Sequence, residues 1–212
     1  MKHAIATLRT KKLLAASLKR AMAQKPLSKV TVSEIIADCD VNRKTFYYHF
    51  EDIYALLKWM LEQEAIEVVK QFDLLSDYKE AILFVMDYVE DNAHILNCAY
   101  DSMGRDEMKR FFYADFIGII QTMVDGMEKE LGVSAPADCK DFLCNFYTEA
   151  LAGALIEWVK DRGKYSREQV LTYLTMIART SLPAILMEAS GAPFPQEADN
   201  VALGARMQTQ TY

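Results

Sequence analysis

Nine consecutive residues, Asn42–Phe50, combine side chains that are suited to binding a polyanion. Their polar members are two cations, a hydroxyl, two phenols and an imidazole, with no carboxylate among them, namely Arg43, Lys44, Thr45, Tyr47, Tyr48 and His49. Such groups donate hydrogen bonds to phosphate oxygens and base edges. The segment therefore predicts contact with nucleic acid. The alternative is an ordinary amphipathic surface helix that lacks acids, which would be a wasteful place for three exposed aromatic rings.

Helical spacing divides this segment into two faces. Phe46 and Phe50 are one turn apart and share a face, which we expect to pack on neighbouring helices. The remaining residues form pairs four apart that are displaced from the phenylalanine face: Arg43 with Tyr47, Lys44 with Tyr48, and Thr45 with His49. The polar groups are therefore predicted to point outward.

Two further short helices are predicted to hold this segment in place. The first covers about residues 9–24 and ends before Pro26, because proline breaks a helix. The second runs from about Val32 to Cys39 and begins with a capping box made by Thr31 and Glu34. Apolar residues recur along both at helical period.

A tight turn separates the second helix from the third. Asp40 lies in the turn, where aspartate tolerates left-handed backbone. Asn42 then caps a third helix that continues to about His49. Three short helices with a tight turn before the third form a helix-turn-helix, in which the third helix lies in the major groove.

The rest of the chain predicts longer helices and no strand. Expected helices cover about 52–72, 77–91, 93–102, 105–131, 138–162 and 166–188, with a loop at 132–136. The predicted fold is all-α, with about nine helices. We expect a DNA-binding domain at 1–60, a helical domain at 61–190, and a loose tail at 191–212.

The charge distribution supports this division. The formal net charge is −6. Residues 1–60 hold eleven lysines and arginines against five acidic residues, a charge of +6, so the remainder carries −12. A basic head on an acidic body suggests that one end binds a polyanion, although a chance solvated basic face is the alternative.

Several function classes find little support. Cys39, Cys98, Cys139 and Cys144 form no CxxC pair, which favours reduced thiols packed as small core residues over zinc or disulfides. There are no phosphate-loop, nucleophile-elbow, dinucleotide or zinc-protease motifs, so we expect no enzyme, cofactor, metal or catalytic residue. The N-terminus lacks a clean apolar run, and the protein is expected to be cytoplasmic without a membrane partner.

Three segments of the chain resemble a known family. The segments Val30–Ile36, Val41–Phe50 and Ile53–Leu57 resemble the DNA-binding head of the tetracycline-repressor (TetR) family, over about residues 8–60. The resemblance implies that the helical domain at 61–190 is a regulatory domain that binds a ligand and forms the dimer. It also implies base or phosphate contacts by one set of residues, Arg43, Lys44, Thr45 and Tyr48, and phosphate contacts by another, Tyr47, His49, Thr31 and Ser33.

The chain departs from the family pattern at two places. Asp40 replaces the usual turn glycine, and Glu51, Asp52 and Ile53 replace a small polar pair and a phosphate-gripping lysine. If the missing cation weakens the grip, Ile53→Lys should tighten binding to every duplex, with the lysine reaching outward. The alternative is that Ile53 belongs to the core of the head, so that lysine would destabilise it.

The helices that follow the head are predicted to contain a dimer interface and a ligand pocket. Small residues in the helix 138–162 would let helices approach closely, and the interface candidates are Phe146, Ala150, Gly153, Ala154 and Trp158. An ordinary core helix is the alternative. The resemblance places a pocket among the middle helices, where the candidates are Met86, Cys98, Tyr100, Met103, Phe112, Tyr113, Phe116 and Phe146, although such residues usually belong to a core.

Two functional hypotheses follow. The first is a ligand-responsive regulator, most simply a repressor, that binds a near-palindromic operator in double-stranded DNA as a homodimer and answers to an unknown small-molecule effector. The second is a co-regulator of the same fold that acts mainly through protein partners, with weak or no DNA binding.

Overall fold

The computed structural model describes residues 2–161 and 163–192. In chain order its α-helices are Lys2–Met22 (α1), Val32–Asp38 (α2), Arg43–His49 (α3), Ile53–Leu61 (α4), Glu67–Val69 (α5), Tyr78–Asp91 (α6), Ala93–Met103 (α7), Arg105–Leu131 (α8), Ala137–Lys160 (α9) and Arg167–Ala189 (α10). A 3-10 turn precedes α2 at Leu27–Lys29, and a π-helical turn at Glu62–Ile66 joins α4 to α5.

The all-α prediction is confirmed. No strand occurs in the ranges that the structure describes. Because α4, the π-helical turn and α5 follow one another without a break, these ranges hold nine continuous helices besides the 3-10 turn, in agreement with about nine predicted. Most of the tail predicted from residue 191, namely residues 193–212, lies outside the described residues.

The chain divides into two compact units. The first consists of residues 1–69 and 87–112, and the second of residues 70–86 and 113–212. The first unit therefore contains α1–α5 together with α7, and the second contains α9 and α10.

The first four helices share one apolar core in the first unit. Each of them contributes side chains with no solvent exposure: Leu14, Leu18 and Met22 from α1, Ile35 from α2, Phe46 from α3 and Leu56 from α4. The α7 helix adjoins the far end of α1, where the Nε2 atom of His94 lies 2.6 Å from the carbonyl oxygen of Met22. This packing holds α3 against α1 and α2 and leaves its other face to solvent.

The α1 helix begins earlier than the sequence pattern indicated. It starts at Lys2 rather than near residue 9 and ends at Met22. No glycine or proline interrupts this segment, and alanine, leucine, lysine and arginine are strong helix formers. The first turns contribute little to the core, since Ile5 and Leu8 are exposed, so apolar periodicity alone did not reveal them.

The helix predicted at 52–72 also differs from the prediction. It passes through the π-helical turn Glu62–Ile66 and ends at Val69. A π-helical turn carries one residue more than an α-helical turn and changes which side chains share a face. Sequence periodicity gave no sign of this insertion.

A second apolar core lies in the second unit, formed by α8, α9 and α10. Its buried members are Ile120, Val124, Met127, Ala135, Leu143, Cys144, Leu182 and Leu186. The hydroxyl groups of Tyr147 on α9 and Ser181 on α10 lie 2.6 Å apart and join the two helices beside this core. The remaining cysteines, Cys39, Cys98 and Cys139, are half-buried.

The α10 helix is unusually apolar for its exposure. By length and composition alone it could cross a membrane, yet only 11% of its most apolar window is buried.

Candidate nucleic-acid interface

The start of α3 is defined by a side-chain cap. The Oδ1 atom of Asn42 accepts hydrogen bonds from the backbone N–H of Thr45, at 2.8 Å, and from its hydroxyl, at 3.0 Å. The predicted cap is therefore present. The Thr45 hydroxyl uses its proton in the hydrogen bond to Asn42, and the side chain is half-buried. The hydroxyl can therefore bind a ligand only by accepting a hydrogen bond through its oxygen lone pairs.

The turn before α3 adopts the backbone that the sequence predicted. Asp40 has a φ of 51° and is the only non-glycine residue with a positive φ among the described residues. The neighbouring Val41 N–H donates to the carbonyl of Ile36, at 3.1 Å, which closes the turn. Aspartate visits this left-handed region more readily than most residues, so the chain forms the turn without glycine.

The two faces of α3 lie as the helical spacing indicated. Phe46 has no exposed surface and Phe50 is buried, with ring centroids 6.1 Å apart. Tyr48 on the other side is 70% exposed, and Tyr47 is also exposed. The core therefore anchors α3 through its phenylalanines and presents the phenols to solvent.

The cations of α3 are available for an anion. The Arg43 guanidinium carbon lies 5.9 Å from the centroid of the Tyr47 ring, and Lys44 is exposed. Neither forms an ion pair with an acidic side chain among the described residues. Three other cations of the head are paired with acids: Lys19 with Glu64, Arg20 with Asp38 and Lys25 with Glu34. The outward face of α3 thus presents two cations that have no acidic partner among the described residues.

The start of α2 carries the predicted capping box. The Thr31 hydroxyl accepts from the Glu34 N–H, at 3.3 Å, and the Glu34 carboxylate accepts from the Thr31 N–H, at 2.9 Å. The hydrogen bond from Lys25, followed by those from Thr31, lowers the pKa of Glu34 to about 2. Thr31 and Ser33 are exposed at this helix start, where free amides favour a phosphate.

The residues that depart from the family pattern have local structural roles. The carboxylate of Asp52 caps α4 by accepting from the Ala55 N–H, at 2.7 Å. Ile53 is only 8% exposed and belongs to the core of the head. Aspartate directly before an apolar helical run is a typical N-cap signal, so the role of Asp52 could have been recognised from the sequence.

The pocket candidates are distributed over both units. Cys98, Tyr100, Met103 and Phe112 belong to the first unit, and Met86, Tyr113, Phe116 and Phe146 to the second. Met86 and Phe112 are buried, and five others are half-buried. Tyr113 donates a hydrogen bond to Asn145. Phe146 differs, because it is 56% exposed and does not face the interior of its unit.

Most of the interface candidates lie on an exposed face of α9. Phe146, Ala150 and Ala154 are exposed, and a Cβ atom added at Gly153 would meet nothing within 4 Å. Trp158, the fifth candidate, is one helical turn after Ala154 and is only 8% exposed.

Sequence reasoning missed other members of this apolar face. Phe142 is 68% exposed, and its ring is stacked on that of Phe146 with centroids 6.3 Å apart. On α10 the large exposed side chains are Tyr173, Met176, Ile177 and Ile185. Phe142 precedes Phe146 by one helical turn, so its spacing could have identified it.

Two family models match the chain. Residues 13–60 match the model described as bacterial regulatory proteins, tetR family, and residues 76–180 match the one described as transcriptional regulator C-terminal region. A relative, the HTH-type dhaKLM operon transcriptional activator DhaS of Lactococcus lactis subsp. lactis (strain IL1403), is 20% identical over 142 residues, which are 67% of this chain and 75% of the relative.

Similarity to one solved structure supports the fold. The dihydroxyacetone kinase operon activator DhaS aligns with a TM-score of 0.61 and 19% identity, covering 85% of this chain and 98% of that one. The reduced form of E. coli NemR aligns with a TM-score of 0.47 and 14% identity, covering 80% and 97%. Together the two family models match the chain on both sides of residues 61–75. The chain therefore belongs to the tetR family and is a DNA-binding transcription regulator.

Proposed function

We propose that this regulator binds a near-palindromic operator as a homodimer, with residues 1–60 on DNA and residues 61–190 providing dimerisation and the effector response. The observation that carries the proposal is the outward face of α3, which holds unpaired cations and exposed phenols while its phenylalanines are buried. We place the protein in the cytoplasm, together with the DNA that it binds. We assign it no catalytic role.

The DNA contacts follow from the groups on each surface. Arg43, Lys44 and Tyr48 lie on the exposed face of α3 and would reach base edges or phosphates, together with the oxygen of Thr45. A second set would hold the backbone: Tyr47, His49, Thr31 and Ser33. Phosphate contacts set the position of α3, and base contacts set sequence preference.

Binding and its salt dependence test this proposal. Selection from a random duplex library should recover a sequence with two-fold symmetry. The logarithm of affinity should then fall linearly with the logarithm of salt, by roughly 0.9 for each phosphate that is neutralised. Failure to select any sequence, together with a flat salt response, would contradict DNA binding by the isolated protein.

A homodimer is supported by the apolar face on α9 and α10. Its small residues are Ala150, Gly153 and Ala154 on α9, and both helices also carry larger exposed apolar side chains: Phe142 and Phe146 on α9, and Tyr173, Met176 and Ile177 on α10. Small residues let helices of two subunits approach closely, and apolar area of this kind is typical of permanent interfaces. Two heads are also needed to read a two-fold site.

Matched glycine substitutions test the dimer. A Cβ atom added at Gly153 or at Gly118 meets nothing within 4 Å, so the subunit can accept a side chain at either position. Gly153→Lys should produce a monomer with lost affinity for the symmetric duplex, because lysine blocks the approach of the partner helix. Gly118→Lys on α8 should remain dimeric. Sedimentation that shows a dimer for Gly153→Lys would contradict this interface.

The effector response is supported by buried polar atoms in the second unit. The Thr148 hydroxyl and the Trp158 indole nitrogen have no hydrogen-bond partner among the described protein atoms. An unpaired buried polar group costs free energy, which a polar ligand could recover. A thermal-shift screen of small metabolites, followed by DNA binding with each hit, tests the response. A ligand that raises the melting temperature without changing DNA affinity would contradict a role in regulation.

The direction of regulation has two candidates. Repression is the first, because a dimer on an operator needs only to occlude a promoter. Activation, or co-regulation through a protein partner, is favoured by the DhaS relative, whose name describes a transcriptional activator. A reporter placed downstream of the selected operator distinguishes them, since deletion of the regulator raises expression under repression and lowers it under activation.

A further inference from the structure

The α1 and α4 helices run in the same direction through the head. The Nζ atom of Lys11 lies 5.5 Å from the centroid of the Trp59 ring on α4. Eight residues further along α1, the Nζ atom of Lys19 lies 2.8 Å from Glu64, beyond the end of α4. The N-terminal half of α1 is therefore at the same end of the head as the start of α4, where α3 finishes.

Lys11 occupies a defined position at this junction. Its Nζ atom is also 5.3 Å from the centroid of the Phe50 ring, which follows α3 directly. The two rings attract the ammonium group and restrict the side chain, which is half-buried. No acidic side chain among the described residues pairs with Lys11, in contrast to Lys19. An ammonium group has three N–H donors, so Lys11 retains donors for an external anion.

The start of α4 itself offers no cation. Ile53, at the position of the lysine in the family pattern, is packed in the core. The carboxylate of Asp52 accepts from the backbone of α4 and serves as its cap. Any positive group beside this helix start therefore comes from a neighbouring helix.

We propose that Lys11 is a phosphate-binding residue that supplies, from α1, the contact missing at the start of α4. Its ligand is a backbone phosphate of duplex DNA beside the end of α3, so the inference rests on the DNA-binding function proposed above. Lysine presents its charge as a compact ammonium group, and a phosphate contact carries no base information. The contact therefore adds affinity equally on all sequences and contributes to the salt dependence.

A pair of lysines provides the matched experiment. Lys11→Gln removes the proposed contact. Lys58→Gln is the control, because Lys58 also lies over an aromatic ring, at 5.8 Å from the centroid of Phe111, and loses the same charge from the same head. Lys11→Arg retains both the charge and the ring contact. For each protein, affinity for the selected duplex and for a scrambled duplex is measured at several salt concentrations, together with the melting temperature.

The expected result for Lys11→Gln is weaker binding to both duplexes by the same factor. Its salt slope should be smaller by about two for the dimer, since each subunit loses roughly 0.9. Lys58→Gln should match the wild type, and Lys11→Arg should restore both affinity and slope. These variants are expected to remain folded, which the melting temperature checks.

Two results would overturn the inference. One is a Lys11→Gln protein with the affinity and slope of the wild type. The other is a loss confined to the selected duplex with the salt slope unchanged, which would mean that Lys11 only orients α3 through Phe50. If the wild type itself binds neither duplex, the proposed DNA-binding function fails, and that outcome is distinct from both.

Discussion

The Nζ atom of Lys19 on α1 lies 2.8 Å from a carboxylate oxygen of Glu64 in the π-helical turn. The same carboxylate accepts a hydrogen bond from the Tyr88 hydroxyl of α6, at 3.1 Å. Burial, with the Glu64 charge adding to it, raises the pKa of Tyr88 well above its usual range and keeps this hydroxyl a donor. Glu64 therefore joins three segments of the first unit at a turn that departs from regular helix.

Glu64→Gln tests this junction. Glutamine keeps an acceptor for Tyr88 but loses the ion pair with Lys19, and a partly exposed pair contributes about 0–1 kcal/mol. We expect a small decrease in the urea midpoint of unfolding. Glu62→Gln in the same turn is the control and should leave stability within about 0.5 kcal/mol. Equal effects of the two substitutions on the urea midpoint would mean that the ion pair makes no measurable contribution to stability.

The two faces of α3 predict opposite consequences of truncation. Phe46→Ala and Phe50→Ala remove buried rings and should each destabilise the head by about 3–5 kcal/mol. Tyr48→Ala and Lys44→Ala change exposed side chains and should weaken binding to the selected duplex with little change in melting temperature. Thermal denaturation and DNA titration of all four variants check this. An early-melting Tyr48→Ala protein would contradict the face assignment.

Ile53→Lys is now expected to destabilise the head rather than to tighten DNA binding. The side chain belongs to the core, and a buried ammonium must either lose its hydration or displace α4. Ile53→Val is the control, with an expected cost of about 0.5–1.5 kcal/mol. Urea denaturation should place Ile53→Lys well below Ile53→Val. A Lys variant with unchanged stability and higher affinity for scrambled DNA would instead support the outward-reaching lysine.

The capping box at α2 predicts a specific acid response. In the folded head the pKa of Glu34 is about 2, below its value of about 4.3 in an unfolded chain. The ionised carboxylate therefore stabilises the folded state above about pH 4.3, and this contribution is lost as the pH falls towards 2.

Glu34→Gln should flatten this part of the stability profile. Glutamine can still accept from the Thr31 N–H but has no proton to gain. Lys25→Met, which removes the main cause of the lowered pKa, should flatten it in the same direction. The measurement is the urea midpoint between pH 5 and pH 2. Profiles parallel to that of the wild type would show that Glu34 does not govern the acid response.

Local features of the head could be read from the sequence with good accuracy. The capping box at Thr31, the Asn42 cap and the left-handed Asp40 were all predicted and are present. The burial of Phe46 followed from helical phase in the same way. Each of these depends on residues three or four positions apart, so the interacting atoms are already near one another once the helix forms.

Features that depend on distant residues required the tertiary structure. Helical periodicity could not decide whether Ile53 faces the core, since this depends on what packs against α4. It gave Phe146 both an interface and a pocket role, and it could not show that Trp158 is buried while Phe146 is exposed, because burial depends on what packs against α9. Lys11 was unremarkable in the sequence, and it became a candidate only when folding brought it within 5.3 Å of the Phe50 ring centroid, 39 positions away.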